Sequence, residues 1–336
     1  SCKKLFAKST FGINNSRIFM SKIKIFTDYK KISKRFYNSS LVIGNFDGVH
    51  RGHKKVIQLA KNISKKNQSQ LGVMMFDPHP REYFSKEKRF LLSSLDNKYE
   101  ILEKLGVDFI VILKFNKLLA SMSALAFCNK ILLNGCKMHH VFIGKNFRFG
   151  QNRVGNLKYL ANFGKDNGFK VTGSELYKVN RSKKIFSSSS IREFIKKGKI
   201  KEANKFLGHA WSVSGRVITG DKRGRLIGFP TANISTEKYI YPKFGVYAVK
   251  VIFLSGKNKG KEKNGIANFG LRPTFGKKTA ILEVHLFSFK LNIYKTSLKV
   301  SFIDYIRSEK KFSGIDSLKD QIKRDIVKTK KILNKS

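Results

Sequence analysis

His50 and His53 stand three residues apart in the run Gly44-Asn45-Phe46-Asp47-Gly48-Val49-His50-Arg51-Gly52-His53. With a glycine between them, both imidazoles can point at one phosphate while the backbone approaches it closely. The apolar triplet Leu41-Val42-Ile43 precedes the run. Apolar residues recur after it at Val56, Leu59, Ala60 and Ile63, the spacing of an amphipathic helix. Strand, glycine-rich turn and helix in that order offer backbone N–H groups and the positive end of a helix dipole to an anion. A nucleoside triphosphate suits such a turn. His-x-Gly-His alone is a common chance match, but ten residues in this context are not. Two further segments belong beside it. Phe76-Asp77-Pro78-His79-Pro80 ends another apolar run, at the edge where open α/β sheets bind ligands. Ser187-Ser188-Ser189-Ser190-Ile191-Arg192 places hydroxyls and a guanidinium at the entry of a helix.

A second constellation follows. Gly220, Gly224 and Gly228 recur every four residues, and Gly228 opens Gly-Phe-Pro-Thr-Ala-Asn, ending at Asn233. No Lys-Ser/Thr follows the last glycine, so this is not a Walker loop. It still lets backbone approach phosphate, and Thr231 with Asn233 supplies neutral oxygens for a hard cation. Gly265, Asn268, Gly270, Pro273 and Thr274 read as a second loop beside it. In the run Ile281 to Phe287, period-two alternation sets Leu282, Val284 and Leu286 on one face and Glu283 with His285 on the other. A carboxylate on an open strand face can accept a hydroxyl proton during phosphoryl transfer.

The elements that must position these residues fall into two groups. In the first half, apolar runs at 41–43, 71–76, 109–113 and 141–143 alternate with helix-like segments, which implies right-handed crossovers and a Rossmann-like parallel sheet. Strand-like runs at 213–218, 246–254, 281–287 and 298–302 dominate the second half, separated by Gly, Pro and Asn clusters. Helical spacing returns at Leu318, Ile322 and Ile326. The expected architecture is an α/β domain over 21–206, then an antiparallel β-barrel domain over 207–336 closed by a C-terminal helix. Arg192 to Leu207 reads as a helical link.

Composition narrows the function classes. At 336 residues with 41% hydrophobic content, the chain can bury two cores. No apolar run approaches the roughly 18 residues of a membrane span, so a soluble protein is expected. Its three cysteines, Cys2, Cys128 and Cys136, show no pairing or metal spacing, which fits a reducing, cytoplasmic setting. Sixty-nine Lys and Arg against 22 Asp and Glu give a formal charge of +47. That is either an anionic-partner surface or the drift of a chain rich in Lys, Asn, Ile, Phe and Ser. The excess is not focused into a stripe and no nucleic-acid module accompanies it, so nucleic acid is not the expected partner. The basic stretch before Asp28 resembles an organelle transit peptide, but upstream sequence over 1–20 ahead of a start at Met20 is the preferred account.

Residues 41–192 resemble the FMN adenylyltransferase module of bacterial bifunctional riboflavin kinase/FAD synthetases, a branch of the His-x-Gly-His nucleotidyltransferases. Gly144-Lys145-Asn146-Phe147-Arg148-Phe149-Gly150, with Arg153 and Gly155, matches a further motif of that family. Asn146 stands where many members carry Asp, which keeps hydrogen bonding and drops a charge. Residues 207–330 resemble the riboflavin kinase module through Gly-Phe-Pro-Thr-Ala-Asn, Leu282-Glu283-Val284-His285 and Ile306-Arg307-Ser308-Glu309. Ser288 and Lys295 depart from the family's usual Asp and Gly. The resemblance implies two reactions, riboflavin to FMN and FMN to FAD, with ATP and Mg²⁺. It implies that Gly44, Asn45, Phe46, Asp47, Gly48, His50 and His53 meet ATP. It places Ser188, Ser189 and Arg192 at the leaving pyrophosphate, and His79, Asn146 and Arg148 around the flavin nucleotide and adenine. In the second module it implies that Gly220, Gly224 and Gly228 approach ATP and that Thr231 and Asn233 ligate Mg²⁺. Asn268 and Arg307 would contact flavin, with Glu283 as the base. Two rival readings, a single working site or a nucleic-acid binder on a retained scaffold, sit poorly with both sets of motifs being intact.

Overall fold

The computed structural model describes residues 23–85, 89–174, 186–218, 223–274, 277–289 and 293–335. Six parallel strands form the first sheet: β1 (Lys24–Phe26), β2 (Ser40–Ile43), β3 (Leu71–Asp77), β4 (Phe109–Lys114), β5 (His140–Gly144) and β6 (Lys170–Ser174). Their order is β1-β4-β3-β2-β5-β6. Alternate residues feed two cores. Leu41, Ile43, Met74, Phe76, Phe109 and Val111 enter one. Val42, Val73, Met75, Ile110 and Ile112 enter the other, against the apolar face of the helix Arg51–Lys66. Burial on both faces is what a parallel sheet requires, and it explains why the inner strands are continuous apolar runs. Because all strands run the same way, the ends of β2, β3 and β5 lie along one edge.

The second sheet is a closed barrel of β7 (Ser212–Ile218), β8 (Ala232–Ser235), β9 (Gly245–Phe253), β10 (Glu262–Thr274), β11 (Lys277–Leu286) and β12 (Ser297–Arg307), in the order β10-β11-β8-β7-β12-β9. Inward residues such as Tyr247, Val249, Val251, Leu282, Val284 and Val300 fill it. The helix Ile315–Leu333 covers the outer face at Val246, Ala248 and Ile266. One sequence reading needs correcting. Gly265, Asn268, Gly270, Pro273 and Thr274 do not form a loop; they lie in β10, which pairs residue by residue with β11. Cross-strand hydrogen bonds and neighbours outweigh the low strand propensity of Gly and Pro there. Short β1, β6 and β8 were also not legible as strands.

The link between the halves is two helices, Ser188–Lys196 and Ile200–Leu207. Their Ile191, Ile195, Ile200, Ala203 and Phe206 join Trp211, Phe302 and the barrel interior in one cluster. Leu92 of the first half joins the same cluster, and Trp211 donates its indole N–H to the Leu92 carbonyl at 3.0 Å. The backbone also bridges the halves, with Ile240 N–H donating to Leu91 O at 3.0 Å.

Candidate active sites

The loop between β2 and the helix Arg51–Lys66 builds the first site. His50 is the helix N-cap, and its Nδ1 accepts from the His53 N–H at 3.4 Å. One helical turn brings the rings together, stacked with centroids 3.7 Å apart. Gly52 permits this: a Cβ there would sit 3.0 Å from His50 Cε1. Burial, with Arg192 and Lys54 nearby, pulls the His50 imidazole down to about 4. Burial, then His50 and Lys98, pulls His53 well below its ordinary value. Both rings are therefore neutral at pH 7, with Arg192, Lys54 and Lys98 as the cations around them.

Asp47 lies behind this surface rather than on it. Its Oδ1 accepts from Leu92 N–H at 3.0 Å and Ser93 N–H at 3.3 Å. Arg192 donates Nη2 to the Asp47 carboxylate and Nε to Phe90 O at 3.0 Å, and its guanidinium stacks 3.6 Å from the Phe90 ring centroid. Ser188 Oγ donates to Asp47 O at 3.0 Å, and Ser189 is exposed beside it. The serine-arginine segment and the glycine loop, far apart in sequence, are thus one unit. His79 follows β3, half-buried and edge-on to Phe90 at 5.0 Å. Burial, with Lys98, Arg192 and Arg81, lowers it to about 3. Asn146 and Arg148 are exposed in the turn after β5, on the same sheet edge.

Lys98, on the helix Leu95–Lys104, was not singled out in the sequence. It is 4% exposed and donates Nζ to Asn45 O at 3.3 Å. The signal was available, since Lys98 sits three residues after Leu95 and four before Leu102, on the helix's apolar stripe.

Three barrel strands build the second site. Glu283 on β11 lies opposite Asn233 on β8 and opposite Asn268 on β10. Directly opposed residues point to the same face with Cβ atoms about 4.5–5.5 Å apart, so these three side chains form one polar row outside the barrel. Asn233 is buried, and among the described residues its Oδ1 has no hydrogen-bond partner. Thr231 is half-buried two residues earlier. Gly224 lies under Phe229, whose N–H donates to Gly224 O at 2.7 Å; a Cβ on Gly224 would meet Phe229 O at 2.4 Å. Gly228 is exposed with φ +89°. His285 Nδ1 lies 2.9 Å from Pro230 O and ties this segment to β11. Asn268 and Arg307 both register with Val246 of β9, one on each side, and Arg307 is held by Asp325 at 2.8 Å. Gly220 lies outside the described residues.

A cavity of about 340 Å³ lies at the seam between the halves, behind the histidine loop, lined by Gly48, Lys54, Leu92, Glu100, His209 and Trp211. Its cations are already engaged: Lys54 donates to Gly208 O at 3.0 Å, and Lys299 pairs with Glu100.

Residues 32–190 match the family model described as FAD synthetase, and residues 207–333 match that of riboflavin kinase. A bifunctional riboflavin kinase/FMN adenylyltransferase from Buchnera aphidicola is 40% identical over 94% of this chain and 99% of its own length. The Bacillus subtilis protein of the same description is 36% identical over 91% of this chain and 96% of its own. A crystal structure described as a macrolide-efflux protein from Streptococcus pneumoniae superposes with a TM-score of 0.79 at 28% identity, over 91% of this chain and 98% of that one. Among the described residues, no helix is long and apolar enough to cross a membrane.

Proposed function

This chain belongs to the bifunctional riboflavin kinase/FMN adenylyltransferase family, and on that premise we propose that its two reactions divide between residues 21–206 and 207–336. It phosphorylates riboflavin to FMN with ATP and adenylylates FMN to FAD with release of pyrophosphate. The observation that carries the division is the pair of separate polar constellations, one at the edge of the parallel sheet and one on the outer face of the barrel.

In the first, an FMN phosphate oxygen attacks the α-phosphorus of ATP and pyrophosphate leaves. The attacking oxygen is already anionic, so no strong base is needed. Alignment and neutralisation of developing charge do the work. His50 and His53 donate N–H to the ATP phosphates over the loop Gly44 to Gly48. Ser188, Ser189 and Arg192 receive the pyrophosphate, with Asp47 holding Arg192 in place. His79, Asn146 and Arg148 flank the flavin nucleotide and adenine.

In the second, Glu283 takes the proton of the riboflavin 5′-hydroxyl as that oxygen attacks the γ-phosphorus of ATP, and ADP leaves. Gly224 and Gly228 approach ATP; Asn268 and Arg307 face flavin. The donors fit Mg²⁺: the buried Asn233 Oδ1, without a hydrogen-bond partner among the described residues, is a neutral oxygen of the kind a hard cation takes. Thr231 and Asn233 would hold it, and the ion would offset charge on the phosphates. The cytoplasm is the proposed compartment, supported by three cysteines without a pairing pattern.

Labelled ATP tests the pair of reactions. A label on the γ-phosphate should appear in FMN and persist into FAD, whereas a label on the α-phosphate should appear in FAD alone. An α-label in FMN, or a γ-label in neither product, would contradict the assignment.

A further inference from the structure

A buried ammonium is costly unless hydrogen bonds or an opposite charge compensate it. Lys98 is buried, carries three N–H donors, and among the described residues makes one hydrogen bond, the 3.3 Å contact to Asn45 O. Around it stand Asp47, Asp77, Glu82 and Arg192. Asp47 is already committed to Arg192, Leu92 and Ser93, and no carboxylate among the described residues forms an ion pair with Lys98. Its neighbours in the loop are under-bonded as well: among the described residues, Asn45 Oδ1 and His53 Nδ1 are buried without partners. His53 and His79 both feel the Lys98 charge. An ammonium with unused donors, held against the loop that carries two orphaned polar atoms and acting on both His53 and His79, marks a place prepared for an anion.

We propose that Lys98 is a phosphate-binding residue of the adenylyltransferase reaction, donating to a substrate phosphate that meets the Asn45–His53 loop. The inference rests on the adenylyltransferase reading of the first site. The phosphate comes from ATP or from FMN, and both present the same anionic oxygens. The rival role is a strut, in which the lysine merely holds the Asn45 carbonyl. The two roles differ in sign: deleting an under-compensated buried charge leaves the ligand-free protein at least as stable, whereas deleting a strut loosens the loop.

Lys98→Met in the full chain separates them, because it keeps length and removes charge. Loss of one preorganised donor to the reacting phosphates is worth roughly 10²–10³-fold, so kcat/KM for FAD formation should fall by about 100-fold. FMN formation from riboflavin should stay at the wild-type rate, which also reports that the variant is folded. The thermal midpoint without ligand should be unchanged or higher. A rise in the KM for ATP assigns the ATP phosphate, and a rise in that for FMN assigns the flavin phosphate. FAD formation within about threefold of wild type, or a midpoint lowered by several degrees, overturns the assignment. Failure of the wild type to make FAD would overturn the adenylyltransferase reading, and the Lys98 assignment with it.

Discussion

Cutting the chain at the boundary between the reactions should not give a folded kinase, although the kinase motifs all lie beyond it. The helices Ser188–Lys196 and Ile200–Leu207 precede residue 207, yet they bury Ile191, Ile195, Ile200 and Phe206 at 0–6% exposure in the cluster that contains Trp211, Phe302 and the barrel interior. Burying a large apolar side chain contributes about 1.5–3 kcal/mol, so four of them contribute about 6–12 kcal/mol. Total domain stability is about 5–15 kcal/mol. A fragment 207–336 would therefore lose an amount comparable to its whole stability. Asn204 Nδ2 would no longer donate to Phe302 O, nor its Oδ1 accept from Trp211 N–H. A fragment 186–336 keeps those contacts. The expected outcome is cooperative thermal unfolding and FMN production by 186–336, with neither from 207–336, followed by circular dichroism and by chromatography of flavins. A fragment 207–336 that melts cooperatively and turns over riboflavin at the full-length rate would refute the shared-core reasoning.

Glu283→Gln keeps the size of the side chain in its row between Asn233 and Asn268 but cannot accept a proton; FMN formation should drop by about 10²–10⁴-fold, measured as initial rate at saturating riboflavin. His53→Ala should lower FAD formation by roughly 10²–10³-fold while FMN formation persists in the same assay. Stability should also fall on acidification. Burial, with Lys54 and Lys299, holds His209 down to about 3, while an unfolded imidazole titrates near 6.5. Its contribution is therefore full above about pH 6.5 and lost progressively toward pH 3, and His209→Gln should flatten the decline of the thermal midpoint between pH 7 and 5.

Much of the fold was legible because burial writes itself into composition. The inner strands β2, β3, β4 and β5 are covered on both faces and read as apolar runs. Edge strands β1 and β6 are short and begin at Lys24 and Lys170, so nothing marked them. In β10 the glycines and Pro273 looked like loop residues, since pairing with β9 and β11 is a property of partners that lie elsewhere in the chain. The histidine loop, the serine-arginine segment and Glu283 were visible as motifs. The ion pair joining Asp47 to Arg192 was not, because contacts between distant segments leave no local pattern. Lys98 left a faint one, a cation on an apolar stripe.

The separation of two reactions between two sites is tested most directly by the flavin products of one incubation run on three proteins. Wild type, His53→Ala and Glu283→Gln each receive riboflavin, ATP and Mg²⁺, and flavins are resolved over time. Wild type should pass through FMN to FAD, His53→Ala should stop at FMN, and Glu283→Gln should leave riboflavin largely unconverted yet make FAD once FMN is added. Loss of both conversions together in either folded variant would contradict the account.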